Sequence, residues 1–158
     1  MLKFALSIPG LPKAAIALQR FNEKISDFTP FWTEYFGPRW RQLIDNNYTT
    51  GGFGTWLPLS PRYRAWKESK WPGIPVGVLS GALRESLTYV DDQYAVWRAG
   101  PQSLVVGTSV PYAIYQQMGT SKMVSRPPLK MSPDFMVDVG RLLQQWGNDV
   151  IKESGLAK

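Results

Sequence analysis

The sequence predicts an α+β domain, a small antiparallel sheet covered by helices. Three observations carry this expectation. Leu2, Phe4, Leu6 and Ile8 alternate at a period of two. Apolar residues recur at three- and four-residue steps from Ala15 to Phe28 and from Phe135 to Val150. Short β-forming runs between 87 and 106 are separated by turn residues. A chain of 158 residues is the size of one domain, and residues 1–158 are read as one.

Taken in order, Leu2–Ile8 reads as a half-buried strand ended by Pro9-Gly10. The competing reading, a signal peptide, is disfavoured because the apolar run is short and is interrupted by two prolines and Lys13. No stretch approaches membrane-spanning length. From Pro12 the period becomes helical through Ala15, Leu18, Phe21, Ile25 and Phe28. Thr29-Pro30 opens a second helical piece with Trp32, Tyr35, Phe36, Trp40, Leu43 and Ile44 on its apolar side, and Gly37-Pro38 is expected to kink or break it.

Residues 46–75 are rich in Gly and Pro yet hold three tryptophans, and are read as a long loop that packs on something. Within it, Gly51-Gly52-Phe53-Gly54 is not a phosphate loop, since no Gly-Lys-Ser/Thr follows. Leu79, Leu83 and Leu87 form a short helical stripe with Ser80 as its cap. Three strands are then expected, Leu87–Val90, Tyr94–Ala99 and Leu104–Val106, as a meander joined by short turns at Asp91-Asp92-Gln93 and Gly100-Pro101. Pro111 to Met118 suits a short helix closed by Gly119. Residues 119–131 read as a basic extended arm stiffened by Pro127-Pro128. Ser132-Pro133 opens the last helix, with Asp134 and Asp138 near its positive end, Lys152 near its negative end, and Gly155 as the stop.

Composition narrows the chemistry. The chain has no cysteine and no histidine, which excludes disulfides and thiolate metal sites and removes the commonest general base. No Ser-x-x-Lys is present, and the glutamates lie in no stretch that suggests a cleft with paired carboxylates. Oxygen-ligand metal loops are absent as well, so the chain is read as a non-enzyme without a cofactor. The net charge of +6 suits an acidic partner, but the basic residues are spread along the chain, whereas a nucleic-acid reader concentrates them on one element. The densest basic cluster is Arg62, Arg64, Lys67 and Lys70, with only Glu68 against it. It reads as a solvated helical face or as a contact with DNA or an acidic partner. No Asp or Glu occurs from Gln93 to Pro133, while Arg98, Lys122, Arg126 and Lys130 do. Seven tryptophans exceed what a core of this size needs, and Trp is enriched among interface anchors.

Several motifs together resemble one family. Trp56-Leu57-Pro58-Leu59-Ser60 is followed by a basic run and by Val78-Leu79-Ser80-Gly81-Ala82-Leu83-Arg84-Glu85-Ser86-Leu87. Then come Val106-Gly107-Thr108, Pro111-Tyr112-Ala113, Gln116, Met118-Gly119-Thr120 and Arg126-Pro127. In this order they resemble the bacteriophage virion-morphogenesis, or tail-completion, family, which includes Mu-like tail proteins. The chain departs from the family pattern at Gln117, where a bulky apolar residue is usual, at Met123-Val124-Ser125 in place of Pro-Ala, and at Pro128 in place of Phe.

The resemblance implies a structural virion protein that forms a homo-oligomeric ring, a hexamer, at the neck of a tailed phage. There it would complete the tail and allow head–tail joining, beside neighbouring neck and tail-tube proteins, after synthesis in the host cytoplasm. A tail-terminator ring and a head-proximal adaptor ring stay open, as does non-specific contact with packaged DNA; a DNA-binding module is the rival of a different class. The subunit-interface candidates are Trp56, Trp66, Tyr112, Gln116, Gly119, Lys122, Arg126 and Pro127.

Overall fold

The computed structural model describes residues 11–157, and the expected N-terminal strand at Leu2–Ile8 lies outside them. The described chain is α+β, with six α-helices, one π-helical segment and a two-stranded hairpin.

Helix α1 (Leu11–Ile25) packs inward through Ala17, Phe21 and Ile25, whereas Ala15 and Leu18 of the expected stripe are exposed. The chain then turns at Asp27, whose Oδ1 accepts the Thr29 N–H at 2.8 Å. Phe31–Phe36 follows as a π-helical segment that runs straight into α2 (Gly37–Gly54). The expected break at Gly37-Pro38 is therefore a slip of register. Pro38 has no N–H to donate, and the Gly37 N–H reaches back five residues to the Trp32 carbonyl. Phe31, Phe36, Trp40, Leu43 and Ile44 thereby face one core in an unbroken stripe.

The expected loop at 46–75 is only partly irregular. Helix α2 continues right-handed to Thr50, and Gly51, Gly52 and Phe53 then take left-handed angles (φ 64°, 67° and 56°). Helix α3 (Pro61–Lys70) occupies the second half of the stretch. Ser60 caps it and Pro61 sits in its first turn, where a missing N–H costs nothing.

The first strand of the expected meander does not form. Helix α4 (Ala82–Thr88) takes Leu87, because Leu83 and Leu87 bury one helical face, and the Thr88 hydroxyl donates to the Arg84 carbonyl at 2.8 Å. The Tyr89 N–H still bonds the Glu85 carbonyl, so the pairing groups of 87–89 are spent inside the helix. What remains is β1 (Ala95–Ala99) paired antiparallel with β2 (Leu104–Thr108), with Trp97 opposite Val106. The Trp32 indole N–H donates to the Gly100 carbonyl at 3.0 Å, which ties the hairpin turn to the π-helical segment.

Helix α5 (Ala113–Met118) and the arm lead to α6 (Pro133–Ser154). Ser132 caps α6, Gly155 in the left-handed region ends it, and Phe135, Trp146 and Val150 are its buried face. The core is aromatic: Phe135 meets Phe36 edge-on at 5.9 Å between centroids, and Trp146 lies 5.7 Å from Phe31. Helix α6 runs antiparallel to the π-helical segment and α2. Its N-terminal end is held by the Arg39–Asp138 pair, its later turns by the Tyr35 hydroxyl donating to Asp149 at 2.9 Å and by the Lys24–Glu153 pair. With 22 residues it spans about 33 Å, so it separates two poles of the molecule.

Candidate assembly surface

Helix α5 and the residues after it form one rigid unit. Gly119 (φ 76°) turns the chain back so tightly that a Cβ there would lie 2.8 Å from the Ser125 nitrogen and 2.9 Å from the Met123 oxygen, so only glycine fits. Three bonds then hold the returning strand against α5. The Arg126 N–H donates to the Gln116 carbonyl at 2.9 Å, the Ser125 hydroxyl to the Gln117 carbonyl at 2.8 Å, and the Leu129 N–H to Gln117 Oε1 at 3.2 Å. The arm is therefore folded back on its own helix and not extended, because its N–H groups find partners there. The Gln117 side chain supplies one of those partners, which an apolar residue could not.

The arm is also pinned to α2. Asn47, fully buried, donates through Nδ2 to the carbonyls of Pro128 (3.0 Å) and Lys130 (2.8 Å). Lys130 Nζ in turn donates to Thr55 Oγ1 at 2.7 Å. Arg126 spreads its guanidinium over two backbone oxygens, with Nε donating to Leu57 at 2.9 Å and Nη2 to Pro58 at 3.1 Å. This fork is geometry that lysine lacks. We expect Arg126→Lys to lower stability by about 1 kcal/mol in urea unfolding, one hydrogen bond's worth, and Arg126→Ala by about 2; equal stability of Arg126→Ala and wild type would show the brace to be idle.

What this scaffold holds outward is apolar. Tyr112, Ile114, Tyr115 and Met118 are exposed along α5, Met118 by 72%, with Val124 exposed in the arm. Gln116, Gly119 and Pro127 are half-buried, and Lys122 is exposed.

The other candidates separate. Trp56 is an internal wedge: its ring meets Tyr48 edge-on at 5.5 Å and is closed in by Gly52 and Gly77. Trp66 stands on the surface of α3, stacked on Tyr63 at 5.4 Å and edge-on to Trp71 at 5.4 Å. Arg62, Arg64 and Lys70 are exposed on the same helix. Lys67 is not available to a partner, being 4% exposed with its Nζ on the Pro75 carbonyl at 2.6 Å. Burial holds its pKa below the ordinary lysine value. Helix α3 lies in the stretch expected as a loop, while its exposed Arg62, Arg64 and Lys70 match the solvated helical face expected of the basic cluster; Tyr63 and Trp71 were not singled out as part of that surface. The signal was present in Ser60-Pro61, the same cap-and-proline pair that opens α6.

Beneath this region, Tyr48 carries a buried hydroxyl that finds no partner among the described residues. Its pKa is raised, first by desolvation and then by Tyr112, with Arg84 opposing. Above pH 10.0 the unfolded chain releases this proton while the folded chain keeps it, so stability falls as pH rises. Lys67 has the opposite sign: below its ordinary pKa of 10.5 the unfolded chain holds a proton that the folded chain yields more readily, so its burial costs less as pH climbs. Comparing Tyr48→Phe with wild type isolates the tyrosine. The variant should be about 1 kcal/mol more stable at neutral pH, having no unpaired hydroxyl, and should lose a decline of roughly 1.4 kcal/mol per pH unit above pH 10. Parallel pH profiles in chemical denaturation would contradict this.

Among the described residues, no three acidic side chains converge as a metal-ligand set would, and no helix is long and apolar enough to cross a membrane. In comparisons with known proteins, the chain matches no family model, no curated protein and no solved structure.

Proposed function

We propose that the chain is a structural subunit of a tailed-phage virion, assembling as a ring at the head–tail junction that completes the tail and lets it join the head. The ring would be the tail-completion ring itself, with the tail-terminator and head-proximal adaptor rings as variants of the same role that differ in their neighbours.

One observation carries the reading. The segment Pro111 to Pro127, which carries several of the family-like motifs, is built as a braced platform whose outward residues, Tyr112, Ile114, Tyr115 and Met118, are apolar and uncovered. Contiguous exposed apolar groups on a rigid support suit a protein–protein contact, and aromatic residues and Met are enriched in such contacts. The braces (Gly119, Gln116, Gln117, Arg126, Asn47) preorganise the platform, which reduces the ordering cost of assembly.

Met118→Asp tests it. Met118 has no buried contact to lose, so the melting temperature of the purified subunit should stay within a degree or two, while heads and tails produced with the variant should accumulate unjoined. Normal particle yield with Met118→Asp would remove the platform from the assembly contact.

A further inference from the structure

A ring needs a side-to-side contact as well as contacts along its axis, and the two poles of α6 differ in a way that fits one. At the N-terminal pole, α3 stands apart from the core: no residue from 61 to 71 belongs to it. The helix is fixed by Lys67 on Pro75, and the segment leading into it by Arg126 on Leu57 and Pro58. Its free surface is the ladder Tyr63–Trp66–Trp71 flanked by Arg62, Arg64 and Lys70, against the single carboxylate Glu68. Trp, Tyr and Arg are the residues that dominate binding energy at protein interfaces.

At the C-terminal pole lies a cleft of about 480 Å³ between α1, the π-helical segment and α6. Tyr35 lies at its floor over the nearly buried Trp146 and Val150, and its carboxylates are Glu23, Asp27, Glu34, Asp149 and Glu153. Glu153 is paired with Lys24 and Asp149 with Lys152. Glu23, Asp27 and Glu34 have no cationic partner among the described residues: Glu23 accepts only from Gln19, and Asp27 only caps Thr29. Three unpaired carboxylates around an aromatic floor at one end thus answer three unpaired cations around an aromatic ladder at the other.

We infer that α3 of one copy docks in the α1–α6 cleft of the next copy, as the lateral contact of the ring. This rests on the ring reading and specifies which surfaces meet. Because knob and cleft are different surfaces of the same chain, the contact is head-to-tail, the class that gives a ring when its rotation closes and an open filament when it does not. The aromatic ladder supplies the buried area. The charged rims fix register and favour the acidic cleft over the basic surface elsewhere on the chain.

The chain contains no cysteine, so a cysteine pair can be placed without background. Arg64→Cys and Glu34→Cys, combined in one full-length chain, should give a ladder of dimers, trimers and higher species with a short bis-maleimide. A mixture of the two single variants should stop at the dimer. Adding Trp66→Ala to the double variant should weaken the association roughly thirtyfold, the scale of a hot-spot residue, and remove the ladder while the thermal melt stays intact. A double variant that cross-links no further than either single variant overturns the pairing. If a lysine-directed cross-linker still yields closed oligomers in that case, the ring survives and only this contact falls; if neither reagent links copies, both fall. A ladder unaffected by Trp66→Ala, with binding to a labelled duplex lost instead, would make α3 a nucleic-acid element and discard the proposal.

Discussion

Gly52→Ala is expected to destabilise the subunit by about 3 kcal/mol, a large share of the roughly 5–15 kcal/mol that holds a domain together. Two costs combine. At φ 67° an alanine occupies the left-handed region, at roughly 1–2 kcal/mol. Its Cβ would also lie 2.2 Å from Nε1 and 2.3 Å from Cδ1 of Trp56. The indole cannot swing away without meeting Gly77, whose own Cβ position is 2.9 Å from Trp56 Cζ3. Relief therefore requires backbone movement, and overpacking of this kind costs about 1–3 kcal/mol. Gly147→Ala is the control. It sits within α6 with nothing near its Cβ position and should be neutral or stabilising by up to about 1 kcal/mol. Urea midpoints that rank the two variants equally would dismiss the wedge.

Asn47→Ala should cost about 2–4 kcal/mol and loosen the arm. It removes the only side-chain donor among the described residues to two carbonyls, those of Pro128 and Lys130, of which the first is buried, and each orphaned group is worth roughly 1–3 kcal/mol. The loss is partly offset because Asn47 Oδ1 is itself buried without a partner among the described residues. The distinguishing readout is hydrogen exchange. The amides of Arg126 and Leu129, bonded to Gln116 and Gln117, should lose protection more than the β1–β2 amides do. Uniform loss across the chain would mean that Asn47 supports the core and not the arm.

The long helices were legible because their signals are local. Periodic apolar residues and the Ser132-Pro133 and Gly155 punctuation define α6 within its own sequence. The hairpin was legible too, since β-formers flank the Gly100-Pro101 turn. The strand expected at Leu87–Val90 misled because Leu87 belongs to two patterns at once, and the buried helical pair Leu83–Leu87 won over the apolar run that ends at Val90. The Gly51–Phe53 turn could not be read ahead of the fold. Its left-handed backbone is imposed by the need to bring Trp56 onto Tyr48, a contact between residues that no short-range pattern links. The site candidates divided for the same reason. Trp56 and Trp66 carry equal weight in sequence, and only tertiary packing makes one a wedge and the other a surface.

The central claim is that copies of this chain close into a ring at the neck of a tailed particle. Electron cryomicroscopy of particles made with the chain tests it most directly. The account predicts a single closed ring of copies between head and tail, with α3 seated in the adjacent copy's cleft and the α5 platform covered by a neighbouring protein. Particles whose head–tail junction contains no copy of the chain, or contains it outside any ring, would contradict it.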